Sequence, residues 1–176
     1  MEFYITERLI IRRFEKSDAE GLLDYFEKPL VNCFQDEKLN SLAEAKAEAE
    51  RRSGKLSQMA ICLKKNNQLI GNLFAEKEKD TYNVGWNLNP KFAGKGYALE
   101  ATKGLFDYLF NEQNARRIYC YIEEDNLSSQ KLCKRLDMRQ EGLFIDFISF
   151  VKNADGTDRY ENTMQFAILK KEWEKL

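Results

Sequence analysis

Trp86-Asn87-Leu88-Asn89-Pro90-Lys91-Phe92-Ala93-Gly94-Lys95-Gly96-Tyr97-Ala98-Leu99-Glu100-Ala101 runs from the end of an apolar strand, through a loop with two glycines one residue apart, straight into a helix. The first turn of a helix leaves backbone N–H groups without acceptors and carries the positive end of the helix dipole. A glycine loop that exposes those donors therefore suits an anion such as phosphate. Lys91 and Lys95 add two positive charges. The same residues would also serve as a plain strand-to-helix turn. Position excludes a P-loop, which needs glycine where Asn89 stands and Ser or Thr where Gly96 stands. The dinucleotide fingerprint fits poorly, because Leu99 occupies its third glycine position and no acidic residue closes a parallel unit.

Outward from this loop, residues 59–63, 69–76 and 82–88 read as three short strands separated by polar turns, and turns that short predict an antiparallel meander. Residues 96–111 predict a helix with Ala98, Thr102, Leu105, Phe106, Leu109 and Phe110 on the face that covers the sheet. A strand at 118–122 follows. The helical crossover lets it lie parallel to the strand before the loop. Asn126 is placed to cap a helix through Leu136, with Leu132, Cys133 and Leu136 inward. Strands at 144–152 and 160–169 flank Asp155-Gly156, a hairpin signal. Toward the N-terminus, residues 9–14 predict the first strand, and capping boxes at 17–20 and 41–44 open two helices. Pro29 stops the first helix; the second, rich in Ala and Glu, is expected on the surface. Residues 30–39 have no strong period and read either as a lip over a substrate groove or as a connector.

The 176 residues fit a single domain over the whole chain. Hydrophobic residues make up 43% and charged residues 32%, with 28 basic against 29 acidic. A formal charge of -1 gives no general attraction to polyanions, so no direct nucleic-acid binding is expected. No apolar run approaches the roughly 20 residues of a membrane span, and the first residues lack the features of a signal peptide; the cytosol is the expected location. Cys33, Cys62, Cys120 and Cys133 have no C-x-x-C spacing and read as reduced core thiols rather than metal ligands or disulfides. There is no histidine, which excludes Ser-His and Cys-His nucleophiles and a histidine base or metal ligand.

Lys91-Phe92-Ala93-Gly94-Lys95-Gly96-Tyr97-Ala98 resembles the pyrophosphate loop of the GNAT acyltransferase superfamily, with Lys91 where Gln or Arg is usual. The order strand, two helices, three antiparallel strands, helix, strand, helix, two strands resembles the GNAT fold over nearly the whole chain. A third match is Asn126-Leu127-Ser128-Ser129 with Lys131-Leu132, Asp137-Met138 and Glu141-Gly142. It resembles the signature of the ribosomal-protein N-terminal acetyltransferase (RimJ/RimL-like) branch, with Asp137 replacing a helix-ending glycine and Met138 a phenylalanine. The resemblance implies an α/β three-layer fold: a mixed, mostly antiparallel sheet of about seven strands flanked by helices, with one splayed parallel pair.

It also implies site roles. The backbone at Asn87 and Leu88 would meet pantetheine, and Lys91, Phe92, Ala93, Gly94, Lys95, Gly96, Tyr97 and Ala98 would hold the pyrophosphate. Asn126 would hold the pantetheine arm, Arg135 would be a further CoA contact, and Ser129 would donate to the departing thiolate. From the residues alone, Asn126 is also simply a helix cap and Ser129 a first-turn residue. The base is open. The glutamate often found three residues before the Trp86 position is Asn83 here, which cannot accept a proton. Asp146 and Glu76 are the nearest carboxylates, or water could relay the proton. Cys133, where many members carry a tyrosine acid, reads as core. The implied activity is acetyl-CoA-dependent N-acetyl transfer to a primary amine: a protein or peptide N-terminus, a polyamine or another small amine. Neither a metal nor a membrane is implied, and the protein would be a monomer or homodimer. The alternative is a non-catalytic acyl-CoA-binding module.

Overall fold

In the strand Gln58–Leu63 (β3), Met59, Ile61 and Leu63 face one core while Ala60 and Cys62 face another, so the sheet must be covered on both sides. The computed structural model describes residues 1–176. β3 pairs antiparallel with Leu9–Arg12 (β2) on one side and with Leu69–Glu78 (β4) on the other; β2 is flanked by Glu2–Ile5 (β1), and β4 pairs with Thr81–Leu88 (β5). Arg117–Glu123 (β6) is parallel to β5, and Arg139–Lys152 (β7) and Asp158–Leu169 (β8) complete one sheet in the order β1-β2-β3-β4-β5-β6-β8-β7. Eight strands are present rather than seven, the extra one being β1. Its Phe3 and Tyr4 pack against Tyr108, and the Tyr4 hydroxyl donates to the Ala101 carbonyl at 2.7 Å.

Two helices lie on each face. Ala19–Phe26 (α1) and Leu42–Ser53 (α2) cover Ala60, Cys62 and Leu69; α2 buries only Ala45, Ala49 and Arg52, so it is the surface helix that its composition predicts. Tyr97–Asp107 (α3) and Leu127–Arg135 (α4) cover the opposite core, to which Leu105, Phe106, Leu109 and Phe110 contribute side chains with at most 1% exposure. A single π turn, Tyr108–Glu112, extends α3. A short helix, Lys170–Trp173 (α5), follows β8, and its Trp173 ring meets Phe106 edge-on.

Three features add to or depart from the sequence reading in ways that bear on packing. The first helix is not capped by Ser17: Glu15 and Asp18 form the capping box of a short 3-10 turn, because Asp18 is drawn inward by Arg12 at 2.8 Å. β7 begins at Arg139, five residues before the expected 144. Its charged first residues show no alternation, yet they pair with β8 and are held by ion pairs of Glu141 with Arg117 and Arg139. Residues 30–39 include a 3-10 segment, Asn32–Glu37, whose Asn32 Nδ2 donates to Glu161 Oε1 on β8 at 2.5 Å.

Candidate active site

β5 and β6 are paired only at Thr81–Arg117, Tyr82–Ile118 and Asn83–Tyr119. Beyond Asn83, β5 stays with β4 through Leu88, while β6 stays with β8 through Glu123. The two strands therefore diverge, and the backbone of β5 that includes Asn87 and Leu88 loses its neighbour on that side. Val84, Gly85 and Trp86 line one wall of the resulting cavity, of about 290 Å³, and Tyr121, Ile122 and Glu123 the other. Gly85 is required by close packing: a Cβ there would lie 2.1 Å from the Phe74 ring, which also lines the cavity. Cys33, Phe34 and Glu37 of the 3-10 segment close it from above, so the segment takes the lip position rather than serving only as a connector.

At the end of β5, Asn89 caps a 3-10 turn, Pro90–Phe92, through Lys91 N–H at 3.1 Å. Gly94 and Gly96 then take φ of 74° and 81°, a conformation that costs glycine little. The N–H groups of Gly94, Lys95 and Gly96 donate to no protein acceptor, and those of Tyr97 and Ala98, as the first residues of α3, have none within the helix. These consecutive free donors at a helix N-terminus fit a pyrophosphate. Lys91 contributes less charge than its position suggests. Its ammonium is paired with Asp24, which Lys91 holds below the usual carboxylate range. Arg8, which sequence reasoning missed, also reaches the loop, lying 4.5 Å over the Tyr97 ring and donating to the Lys95 carbonyl at 3.0 Å, but it is paired with Glu100; Lys95, over the Phe92 ring, has no carboxylate partner.

On the other side of the gap, Asn126 Oδ1 accepts from Ser129 N–H at 3.1 Å, so the capping role is real, and its Nδ2 is left without a protein acceptor. Trp86 Nε1 donates to Ser129 Oγ at 3.1 Å. That bond uses a lone pair of the hydroxyl, and the hydroxyl proton remains available to another acceptor. Asn126, Ser129 and Trp86 all line the cavity. α4 ends with Asp137 in the left-handed region at φ 54°, and Met138 N–H returns to Cys133 O at 3.0 Å, so aspartate makes the turn usually given to glycine. Cys133 is fully buried beside Cys120, with sulfurs 3.7 Å apart, and is a core residue.

Residues 8–139 match the family described as acetyltransferase (GNAT) domain, three quarters of the chain. The chain belongs to the GNAT acetyltransferase family. Among relatives, it is 32% identical over 171 residues to the protein called uncharacterized N-acetyltransferase YnaD of Bacillus subtilis (strain 168), covering 96% of this chain and 97% of that one. The crystal structure of a GNAT-family acetyltransferase from Bacillus anthracis superposes with a TM-score of 0.85 at 28% identity, covering 96% and 98% of the two chains. The ribosomal L7/L12 α-N-protein acetyltransferase RimL, solved with coenzyme A, shares the fold at a TM-score of 0.77 and 17% identity over 96% and 98%. Acetyl transfer is the activity these findings support.

Within this GNAT chain, Asn126 and Ser129 line the cavity, Asn87, Leu88 and the loop at 91–98 continue from the end of β5 outside that lining, and three further expected residues do not reach it. Arg135 is exposed at the end of α4. Asp146 is exposed at a bulge of β7, with φ 47° and its N–H on Asn162, and Glu76 is exposed on β4. Glu123, just past the strand expected at 118–122 and not among the expected site residues, is the carboxylate that stands at the C-terminal end of β6, 6% exposed, in the cavity with Asn126 and Ser129. Its position at a strand end beside a parallel crossover is the signal that could have found it. Burial and the neighbouring Glu123 push the Cys33 thiol far up, so Cys33 is a neutral wall of the cavity.

Proposed function

We propose that the protein transfers the acetyl group of acetyl-CoA directly to a primary amine. The observation that carries this reading is the divergence of β5 and β6, which opens a cavity lined by Trp86, Asn126 and Ser129 beside the strand that leads directly into the free amides at 94–98. When bound, acetyl-CoA supplies an acetyl group activated as a thioester. Gly94, Lys95, Gly96, Tyr97 and Ala98 hold its pyrophosphate through backbone N–H groups, Lys91, Phe92 and Ala93 shape the loop, and Asn126 Nδ2 and the backbone at Asn87 and Leu88 hold the pantetheine arm. Glu123 takes the proton of the incoming ammonium, the role that sequence left to Asp146 or Glu76. The freed amine nitrogen bonds the acetyl carbon as the carbon–sulfur bond breaks, the Ser129 hydroxyl hydrogen-bonds the sulfur that leaves, and the second proton, shed by the nitrogen as the amide forms, goes to that sulfur to give the free thiol.

Release of free thiol from acetyl-CoA, measured across a panel of amines and peptides and paired with calorimetric binding of acetyl-CoA, tests the reading. Turnover with at least one amine is expected. Tight binding without turnover on any acceptor would mean a non-catalytic acyl-CoA-binding module, and no binding would remove both.

A further inference from the structure

Ten of the sixteen residues that line the cavity are hydrophobic, and no lysine or arginine is among them. Two carboxylates are, and their situations differ. Glu37 is ion-paired with Arg52, and Glu48, which Arg52 also holds at 2.6 Å, has Arg51 at 2.6 Å as well, so two arginines compensate the two carboxylates. Glu123 has no basic partner and is buried. Directly across the β6–β8 ladder from it, Thr163 lines the same cavity, and its buried Oγ1 has no hydrogen-bond partner. The side-chain neighbour of Glu123 is the neutral Cys33 thiol, a weak donor that leaves the charge uncompensated; a buried carboxylate without a cation costs several kcal/mol, and an orphaned hydroxyl adds a further penalty. An ammonium, with three N–H donors, answers both groups at once. Glu161, two residues along β8, has a buried Oε2 that is likewise unpartnered, but it lies outside the lining and its Oε1 is held by Asn32, so within the cavity the uncompensated carboxylate is Glu123.

The rest of the wall sets what carries that cation. Phe34, Phe74 and Phe150 are half-buried, while Phe147 is 48% and Tyr121 41% exposed, an apolar surface left open around a volume of only about 290 Å³. Such a wall gains by covering apolar area, roughly 25 cal/mol per Å², and its four phenylalanine rings leave a second charge without a partner.

Granted the acetyl-transfer reading above, we infer that the acceptor is a monoamine on an apolar body, with its ammonium at Glu123 and Thr163 and its body against Phe34, Phe74, Phe147 and Phe150. Glu123 and the aromatic wall together set the acceptor's chemistry; the loop at 94–98 plays no part in that choice.

Steady-state acetylation of 2-phenylethylamine, hexylamine, ethanolamine and spermidine, with a hexapeptide beginning in Phe as a fifth acceptor, tests this. The two apolar monoamines should exceed ethanolamine and spermidine in kcat/KM by about tenfold or more. Comparable use of the peptide would identify the apolar amine as a polypeptide N-terminus, and its rejection a free amine; both support the inference. Glu123→Gln should lower kcat/KM for 2-phenylethylamine by about tenfold or more while acetyl-CoA binding holds. Phe147→Ala, at a half-exposed position, should raise KM for 2-phenylethylamine and leave ethanolamine unchanged. Preference for spermidine or ethanolamine, or an unaltered KM in Phe147→Ala, overturns the acceptor class and leaves acetyl transfer standing. Acetyl-CoA binding with no amine turned over removes acetyl transfer and this inference together.

Discussion

At the residue scale, Ser129 is defined by what it receives. Because Trp86 donates to its oxygen, its own proton points elsewhere, and the proposed role is donation to the departing sulfur. Ser129→Ala should lower kcat by about tenfold to a thousandfold with little change in acetyl-CoA affinity, measured by calorimetry beside turnover. Equal turnover in the variant would remove Ser129 from the chemistry. Glu100 makes a different kind of contribution. Partial burial raises its pKa, but the Thr6 hydroxyl, the Arg8 N–H and the Arg8 guanidinium outweigh that and hold it below the usual 4.5. A carboxylate with a lowered folded-state pKa stabilises above its unfolded value and loses that contribution as pH falls through the folded one. Urea unfolding should therefore show the native protein more stable than Glu100→Gln at pH 7, with the gap closing on acidification below about pH 4.

At the scale of elements, the loop between β5 and α3 depends on backbone that only glycine adopts cheaply. Gly94 has open space where a Cβ would go, and Gly96 has Arg8 Nη2 at 3.4 Å, so the need for glycine rests on positive φ and on close approach of a ligand rather than on protein packing. Gly94→Val should destabilise the fold by about 1–2 kcal/mol and abolish measurable acetyl-CoA binding, read by calorimetry on folded protein. The end of α4 offers the opposite case. Asp137 holds the left-handed position at φ 54° without a specific side-chain bond, so Asp137→Gly should raise stability by up to about 1 kcal/mol in denaturant titration. A loss of stability there would mean that the gain in unfolded-chain entropy outweighs the relieved strain.

Across the whole molecule, the first strands and the first helix are joined by one buried ion pair. Arg12 and Asp18 meet bidentately at 2.8 Å, with side chains 6% and 4% exposed, and Asp18 also accepts from Glu15 N–H. Asp18→Ala strands a buried guanidinium and should cost about 3–5 kcal/mol, seen as a lower melting temperature, although the residue is far along the chain from the proposed site. The same long-range logic sets the lip: Asn32 is tied to Glu161 and Glu37 to Arg52, so the segment over the cavity is held from β8 and α2 rather than by its own sequence.

Local chemistry is what the sequence by itself determined. The short strands β3 to β5 between polar turns, the amphipathic α3, the Asn126 cap and the paired glycines each declare themselves within a few residues, and their order resembles one fold. Even the departures at Asp137 and Asn83 were legible, since each concerns a single residue's own conformational or proton-accepting capacity. The charged start of β7 escaped because an edge strand stabilised by ion pairs carries no alternation. The charge at Lys91 was overstated and Glu123 was passed over for a related reason: whether a charge is available depends on its neighbours in space. Asp24, sixty-seven positions away, neutralises Lys91, while no cation reaches Glu123. Only the tertiary structure decided the point at which β5 leaves β6, and with it which carboxylate stands in the gap, because strand divergence follows from pairing on the outer edges by β4 and β8.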